Sequence, residues 1–247
     1  MVIDRPRSSA SAELVVTPTF VNLPELWVTQ RSRQTQGMVE LSTGVPSGLR
    51  ERKKRETRER LGDVAARLFA EHGYDEVSIS DVARAAGVSD QTVYNYFPTK
   101  PDLVFDRADE VLEKIRAAVA DRGAHQSPAE AMRTIVIEDV DRYVAEDPAL
   151  ARGEFPAQCR LSAVLRRRAL EFYDEVTSAV AAELADTGFD SMTRRAQAAA
   201  LVAVVQQTTE AIGDAVLADA DRESTRKRLV DTAGAALDHL STWCALA

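Results

Sequence analysis

Between Asp90 and Lys100 the chain reads DQTVYNYFPTK, a short run crowded with amide, hydroxyl and phenol groups and closed by one ammonium. Such groups carry the donors and acceptors that read base edges in a nucleic-acid groove. Val93 and Phe97 lie four residues apart, the spacing of one buried helix side. That leaves Asp90, Gln91, Thr92, Tyr94, Asn95 and Tyr96 to be shared between surface and flanks. Pro98 stops the helix. Thr99 is expected to cap the next one, with Lys100 beside its free amides, and an ammionium at a helix start is a natural grip for a phosphate. Catalytic chemistry has no comparable signature. His72, His125 and His239 are scattered, and no nucleophile motif, phosphate-cradling glycine loop or metal set accompanies them. The expectation is therefore a chain that is not an enzyme and needs neither cofactor nor metal.

These groups need elements to aim them. Leu61, Val64, Ala65, Leu68 and Phe69 form one apolar stripe of a first helix, which ends at His72-Gly73. Ser78 and Asp81, three residues apart, make a capping pair for a second helix with Ile79, Val82, Ala83 and Ala86 on its core side. Gly87 breaks that helix, Val88 plugs the turn, and Ser89 caps the third. Two short helices joined by a tight glycine-containing turn are the layout of a helix-turn-helix DNA reader.

The net charge of −8 argues against a polyanion as partner until its distribution is considered. Residues 50–60 (RERKKRETRER) hold seven basic and three acidic side chains, whereas residues 101–247 hold 17 basic and 26 acidic. The positive charge thus sits just before the three helices, where counterion release from DNA can be used. Arg52, Lys53, Lys54 and Arg55 are its candidate phosphate contacts.

The run GVSDQTVYNYFPTKPDL, preceded by LFAEHGYDEVSISDVARAA, resembles the N-terminal domain of the TetR family of transcriptional regulators over residues 57 to about 105. Phe69, Gly73, Ser78 (often threonine in the family), Ala83, Gly87-Val88-Ser89, Tyr94, Phe97, Lys100 and Leu103 stand in the family's order. The resemblance implies an all-helical homodimer that binds a palindromic operator and releases it on binding a small molecule. It also implies that Asp90, Gln91, Thr92 and Tyr94 face bases, and that Ser80, Asn95, Tyr96 and Lys100 touch the backbone; Ser78 joins this DNA-facing set. Asp90 departs from the polar or basic residue that many members carry. It either accepts from a cytosine amine or supports the helix N-terminus.

Residues 1–49 are rich in Ser, Thr and Pro, lack a sustained period and read as a disordered extension, with LVVTPTFVNLPELWV as a segment apolar enough to dock and Met38 as a second candidate start. No signal-type apolar region opens the chain, no run approaches a membrane span, and Cys159 and Cys244 are isolated, so the expected location is the cytoplasm. The expected organisation is all-α: residues 50–100 form the basic arm and helix-turn-helix domain, and residues 101–247 a helical effector-binding and dimerisation domain. Its helices are expected over Thr99–Asp121, from Ser127-Pro128 to Glu146, briefly after Asp147, over Leu161–Ala185, over Thr193–Ala218 and from Arg222 to Cys244. Leu201, Val204, Val205, Thr208, Ile212 and Ala215 form one stripe, and Leu229, Ala233, Ala236, Leu237, Leu240 and Trp243 another. Both are interface candidates, with Gly213 and Gly234 among the small residues that allow close approach; the family resemblance implies a four-helix interface from these last two helices. Tyr143, Phe155, Cys159, Phe172 and Tyr173 are candidate pocket walls, with Gln206 and Gln207 as polar groups in an otherwise apolar helix. The effector's identity is not readable. The alternative is a helix-turn-helix protein without an effector, acting through a protein partner.

Overall fold

A computed structural model of the chain describes residues 47–244. The expected extension over 1–49 lies outside the described residues except for its last three, which are helical. The apolar LVVTPTFVNLPELWV segment lies wholly outside them.

Every described element is helical. α1 spans Ser47–His72, α2 Ile79–Ala86, α3 Asp90–Tyr96, α4 Ala108–Ala120, α5 Pro128–Ala145, α6 Pro148–Ala151, α7 Phe155–Leu161, α8 Ala163–Glu183, α9 Ser191–Leu217 and α10 Arg222–Cys244. The basic run is thus not an arm ahead of α1 but its first half. Arg, Lys and Glu are good helix formers, no proline interrupts residues 47–97, and Arg52–Glu56 (3.3 Å) and Arg55–Glu59 (3.8 Å) pair one turn apart.

The local punctuation explains most other boundaries. Ser78 and Asp81 form a reciprocal capping box at α2, and Gly87 closes it in the left-handed region at φ 68°. Ser127 and Glu130 repeat the box at α5, with Pro128 in its first turn. Asp147 accepts from Ala149 N to start α6, and Asp190 accepts from Met192 N and Thr193 N to start α9. Two expected helices are broken. The Thr99–Asp121 helix becomes one 3-10 turn, Pro101–Leu103, followed by α4 only from Ala108. The intervening Val104 and Phe105 turn into the core instead. The Leu161–Ala185 helix starts afresh after Ser162, whose backbone is extended (φ −106°, ψ 127°).

One apolar cluster runs from Leu61, Phe69 and Phe97 through Phe105 and Ile115 to Phe172, Leu201 and Leu237. A smaller one gathers Val140, Tyr143, Ile212, Val216 and Leu229. This assigns the two stripes expected at an interface differently. Leu201, Val205, Thr208, Ile212, Ala215, Leu229, Ala233 and Leu237 are all buried within this single chain, where α9 and α10 pack on α5, α7 and α8. A burial-driven stripe cannot by itself say whose core it enters. Gly213 and Gly234 do permit close approach, but within the chain: a Cβ at Gly213 would lie 2.2 Å from the Pro156 carbonyl oxygen, and one at Gly234 2.8 Å from Arg133 Nη1. The outward face of α9 is lined instead by Ala196, Ala199 and Ala203. No helix among the described residues is long and apolar enough to cross a membrane.

Candidate nucleic-acid interface and small-molecule cleft

α3 is held from below by Val93 and Phe97, both fully buried. Its start is fixed by Ser89, whose hydroxyl accepts from Thr92 N (3.2 Å) and pairs with Thr92 Oγ1 (2.9 Å). The opposite face presents Gln91, Tyr94 and Asn95 to solvent, with Tyr94 47% exposed; Thr92 and Tyr96 are half-buried beside them. Gln91 donates to Asn95 (3.1 Å), which aligns two amides along one exposed strip. The structure brings Ser80 and Asp90 together: the Ser80 hydroxyl donates to the Asp90 carboxylate and ties α2 to α3. Ser78 is occupied by its cap, where its hydroxyl and amide hold the Asp81 carboxyl down at about pKa 2.

Lys100 lies elsewhere than beside a long helix, because that helix does not form there. Its ammonium sits 4.1 Å from the Tyr74 ring centroid and donates to the Asp75 carbonyl (3.4 Å). Burial lowers its pKa, against the pull of Asp75 and Glu76. Burial, with Asp75 second, pushes the Tyr74 phenol up to about 12. Arg52, Lys53, Lys54 and Arg55 are all exposed along the first half of α1.

Another cation of the basic run has a role the composition hid. Arg58 donates to the carbonyls of Tyr96 (2.6 Å) and Asp106 (3.2 Å) and stacks on the Phe97 ring (4.3 Å). It ties α1 to the end of α3 and to the segment leading into α4. Its phase was a legible signal: Arg58 precedes Leu61, Ala65 and Phe69 on the buried stripe of α1. The Asp106 carboxyl is itself raised above the usual range by burial, with Arg107 and Arg58 opposing.

Among the pocket candidates, Phe155, Cys159, Tyr173 and Gln206 line one narrow cleft between α7, α8 and α9, with about 30 Å³ of free space inside it. Phe172 stacks behind it, its ring 6.4 Å from Phe155 and 5.5 Å from Tyr173. Tyr143 and Gln207 do not join them. Tyr143 belongs to the smaller core cluster beneath Arg222, and Gln207 points to solvent on the outer side of α9.

The cleft wall reaches the helix-turn-helix through residues 153–158. A Cβ on Gly153 would fall 1.7 Å from the Ala66 carbonyl oxygen, so the loop before α7 lies directly on the α1 backbone. Fully buried Gln158 donates to Arg152 O (2.6 Å) and reaches Phe69 O of α1 at 3.4 Å. On the other side, Pro156 abuts Gly213 of α9. Phe155, which lines the cleft, packs edge-on against Phe105 at 4.9 Å. The cleft and the three N-terminal helices are therefore in mechanical contact.

The family model described as "Bacterial regulatory proteins, tetR family" matches residues 61–106. The chain is 33% identical over 91 residues to the HTH-type transcriptional regulator TcmR of Streptomyces glaucescens, which is 37% of this chain and 40% of that one. It is 29% identical over 129 residues to the HTH-type transcriptional repressor KstR of Rhodococcus jostii, 51% of this chain and 58% of that one. These matches therefore span less than two thirds of either relative. Among solved structures, the fold matches NalD, described as the secondary repressor of the MexAB-OprM multidrug efflux pump of Pseudomonas aeruginosa (TM-score 0.51, 20% identity, 74% of this chain and 96% of that one). It also matches the fatty acid degradation regulator FadR of Bacillus halodurans (TM-score 0.50, 21% identity, 71% and 96%).

Proposed function

We propose that the chain is a transcriptional regulator of the TetR family, on the match of residues 61–106 and the curated relatives, and that it acts as a ligand-responsive repressor. It binds a palindromic operator as a homodimer and is released when a small molecule enters the α7–α9 cleft. Residues 50–100 serve as the DNA-binding unit. Residues 101–247 bind the effector and dimerise, through the outward faces of α9 and α10, including Ala196, Ala199 and Ala203. On α3, Gln91, Thr92 and Tyr94 read bases. Asn95, Tyr96, Lys100 and the exposed cations of α1 hold phosphates, and the Ser80–Asp90 pair fixes the angle between α2 and α3. Such work belongs in the cytoplasm.

The observation that carries this reading is the seating of residues 153–158 between α1 and α9, with the cleft on one side and the α1 backbone on the other. A ligand that wedges Phe155 outward pushes on α1 and Phe105, and so on the spacing of two recognition helices. B-DNA requires that spacing to be about 34–36 Å or a multiple. The ligand shifts this balance only by its differential affinity for the two arrangements, about 1–3 kcal/mol in typical cases.

The test is to select genomic DNA fragments on the full-length protein and titrate the winners. Two-fold symmetric sites, bound by a species of twice the chain mass, are the expected result. Selected sites lacking two-fold symmetry, or a monomer that binds as tightly, would refute the dimeric-repressor reading.

A further inference from the structure

The charges around the cleft point to a class of effector. Its interior is uncharged: Phe155, Ala169 and Tyr173 supply apolar wall, and burial pushes the Cys159 thiol up to about 12, so it carries no charge near neutrality. Charged groups stand only at the mouth, as Arg160, Arg166 and Glu210. Glu210 is already satisfied, by Arg160 at 3.3 Å and by the Gln206 amide at 2.8 Å. Arg160 is saturated in turn, since Asp214 accepts from its Nε at 2.7 Å. The acid behind the cleft, Asp139, faces Arg142 at 3.8 Å. Arg166 differs. Among the described residues its only hydrogen bond is from Nη2 to the Arg160 carbonyl (2.9 Å), and it has no carboxylate partner there. The one uncompensated charge at the lip of an apolar slot is therefore a guanidinium, whose planar fork matches a carboxylate in bidentate fashion.

We propose that the cleft takes an apolar monoanion, a carboxylate with an alkyl or aryl body, its body against Phe155, Ala169 and Tyr173 and its head on Arg166. A lipophilic cation meets the opposite arrangement, since Glu210 would have to leave two partners to receive it. Only about 30 Å³ of the slot is open as it stands, far less than the roughly 300–1,000 Å³ usual for ligand pockets, so the body enters by moving rings such as Phe155 aside, which favours a short-bodied acid. This inference rests on the cleft being the effector site.

Octanoate, octan-1-ol and octylammonium share a body and differ only in the head, so ligand-observed NMR titrations of the three on the full-length protein separate the two ideas. Octanoate is expected to bind roughly five- to tenfold more tightly than the alcohol, with the ammonium weakest, because Arg166 is solvent-exposed and its pairing is partly screened. Arg166→Gln should bring octanoate down to the level of the alcohol and leave the alcohol unchanged. Ala169→Trp, or Gln206→Trp at the half-exposed rim should the first misfold, should abolish binding of all three. Alcohol binding that these blocks remove, without any preference for octanoate, would overturn the anion while leaving the cleft as effector site. An octanoate preference untouched by Arg166→Gln would overturn the role of Arg166. Failure of all three probes to bind, or binding insensitive to both blocks, would overturn the cleft itself.

Discussion

Gly153→Ala is the sharpest perturbation available to the contact between the cleft and the three N-terminal helices. The substitution adds one methyl group 1.7 Å from the Ala66 carbonyl oxygen, and real Cβ atoms essentially never approach closer than 3.0 Å. The loop must therefore back away from α1 by about 1.3 Å, and the obstacle is backbone, not a side chain that can swing aside. Overpacking of this kind costs about 1–3 kcal/mol. The displacement also stretches the contact from Gln158 Nε2 to Phe69 O, already 3.4 Å, and a buried amide that loses a partner adds about 1–3 kcal/mol. A total of about 2–6 kcal/mol lowers Tm by roughly 4–24 °C in a domain of this size. Gly62→Ala is the control. Its Cβ would meet Asp106 Oδ2 at 2.9 Å, but a carboxylate can rotate away, so the loss should stay below about 1 kcal/mol. Both variants go through thermal unfolding and then DNA titration at a temperature where each is folded. Gly153→Ala should also lose DNA affinity there. A melt within 2 °C of the parent, or one matching Gly62→Ala, would show that residues 153–158 do not press on α1 as described.

Replacing Arg52, Lys53, Lys54 and Arg55 together by Gln keeps good helix formers and removes four charges; the log–log salt slope of DNA binding should flatten by about 0.9 for each cation that meets a phosphate, and an unchanged slope would remove the basic run from the interface. Lys100→Ala should flatten the slope by about one unit across all DNA sequences, while giving up only about 0.5–1 kcal/mol of stacking on Tyr74; a purely thermal effect would make Lys100 a packing residue. Asp106→Asn should raise Tm at pH 7. Burial raises the carboxyl's pKa in the folded state, so the native protein holds this proton more tightly than the unfolded chain, and ionisation as pH rises through the folded pKa removes stability. The gain should shrink as the medium is acidified towards the ordinary carboxylate range, and a gain independent of pH would contradict that account.

What the sequence made legible is chemistry between near neighbours. The boxes at Ser78/Asp81 and Ser127/Glu130, the Asp147-Pro148 start and the Gly87 turn each close within a few residues, so their types and spacing suffice. The anchors Val93 and Phe97 follow from one period. What stayed hidden depends on chain segments far apart. Arg58 finds its carbonyl partners 38 and 48 residues away, and nothing local separates it from its basic neighbours except its phase. Gly153 reads as a loop glycine until Ala66 is placed against it. The stripes on α9 and α10 were visible, but alanines on both sides of α9 leave its inward direction to be chosen by α5, α7 and α8. Gln206 and Gln207 lie about 100° apart on α9, and for the same reason only Gln206 reaches the cleft.

The unbroken course of α1 changes what its charges can do. A flexible basic tail would search for phosphates and tolerate insertions, whereas cations on a continuous 26-residue helix are indexed to Leu61 and Phe69 by 100° per residue. They behave as teeth on a shaft keyed into the core. One alanine inserted between Arg60 and Leu61 would turn Arg52 to Arg55 by about 100°, and would carry Arg58 away from Tyr96 and Asp106. Four inserted residues would nearly restore the original azimuth while moving the teeth about 6 Å further out along the axis. The basic segment is thus tuned in angle before it is tuned in reach, and under the proposed function its length becomes one of the dimensions by which the protein would measure DNA.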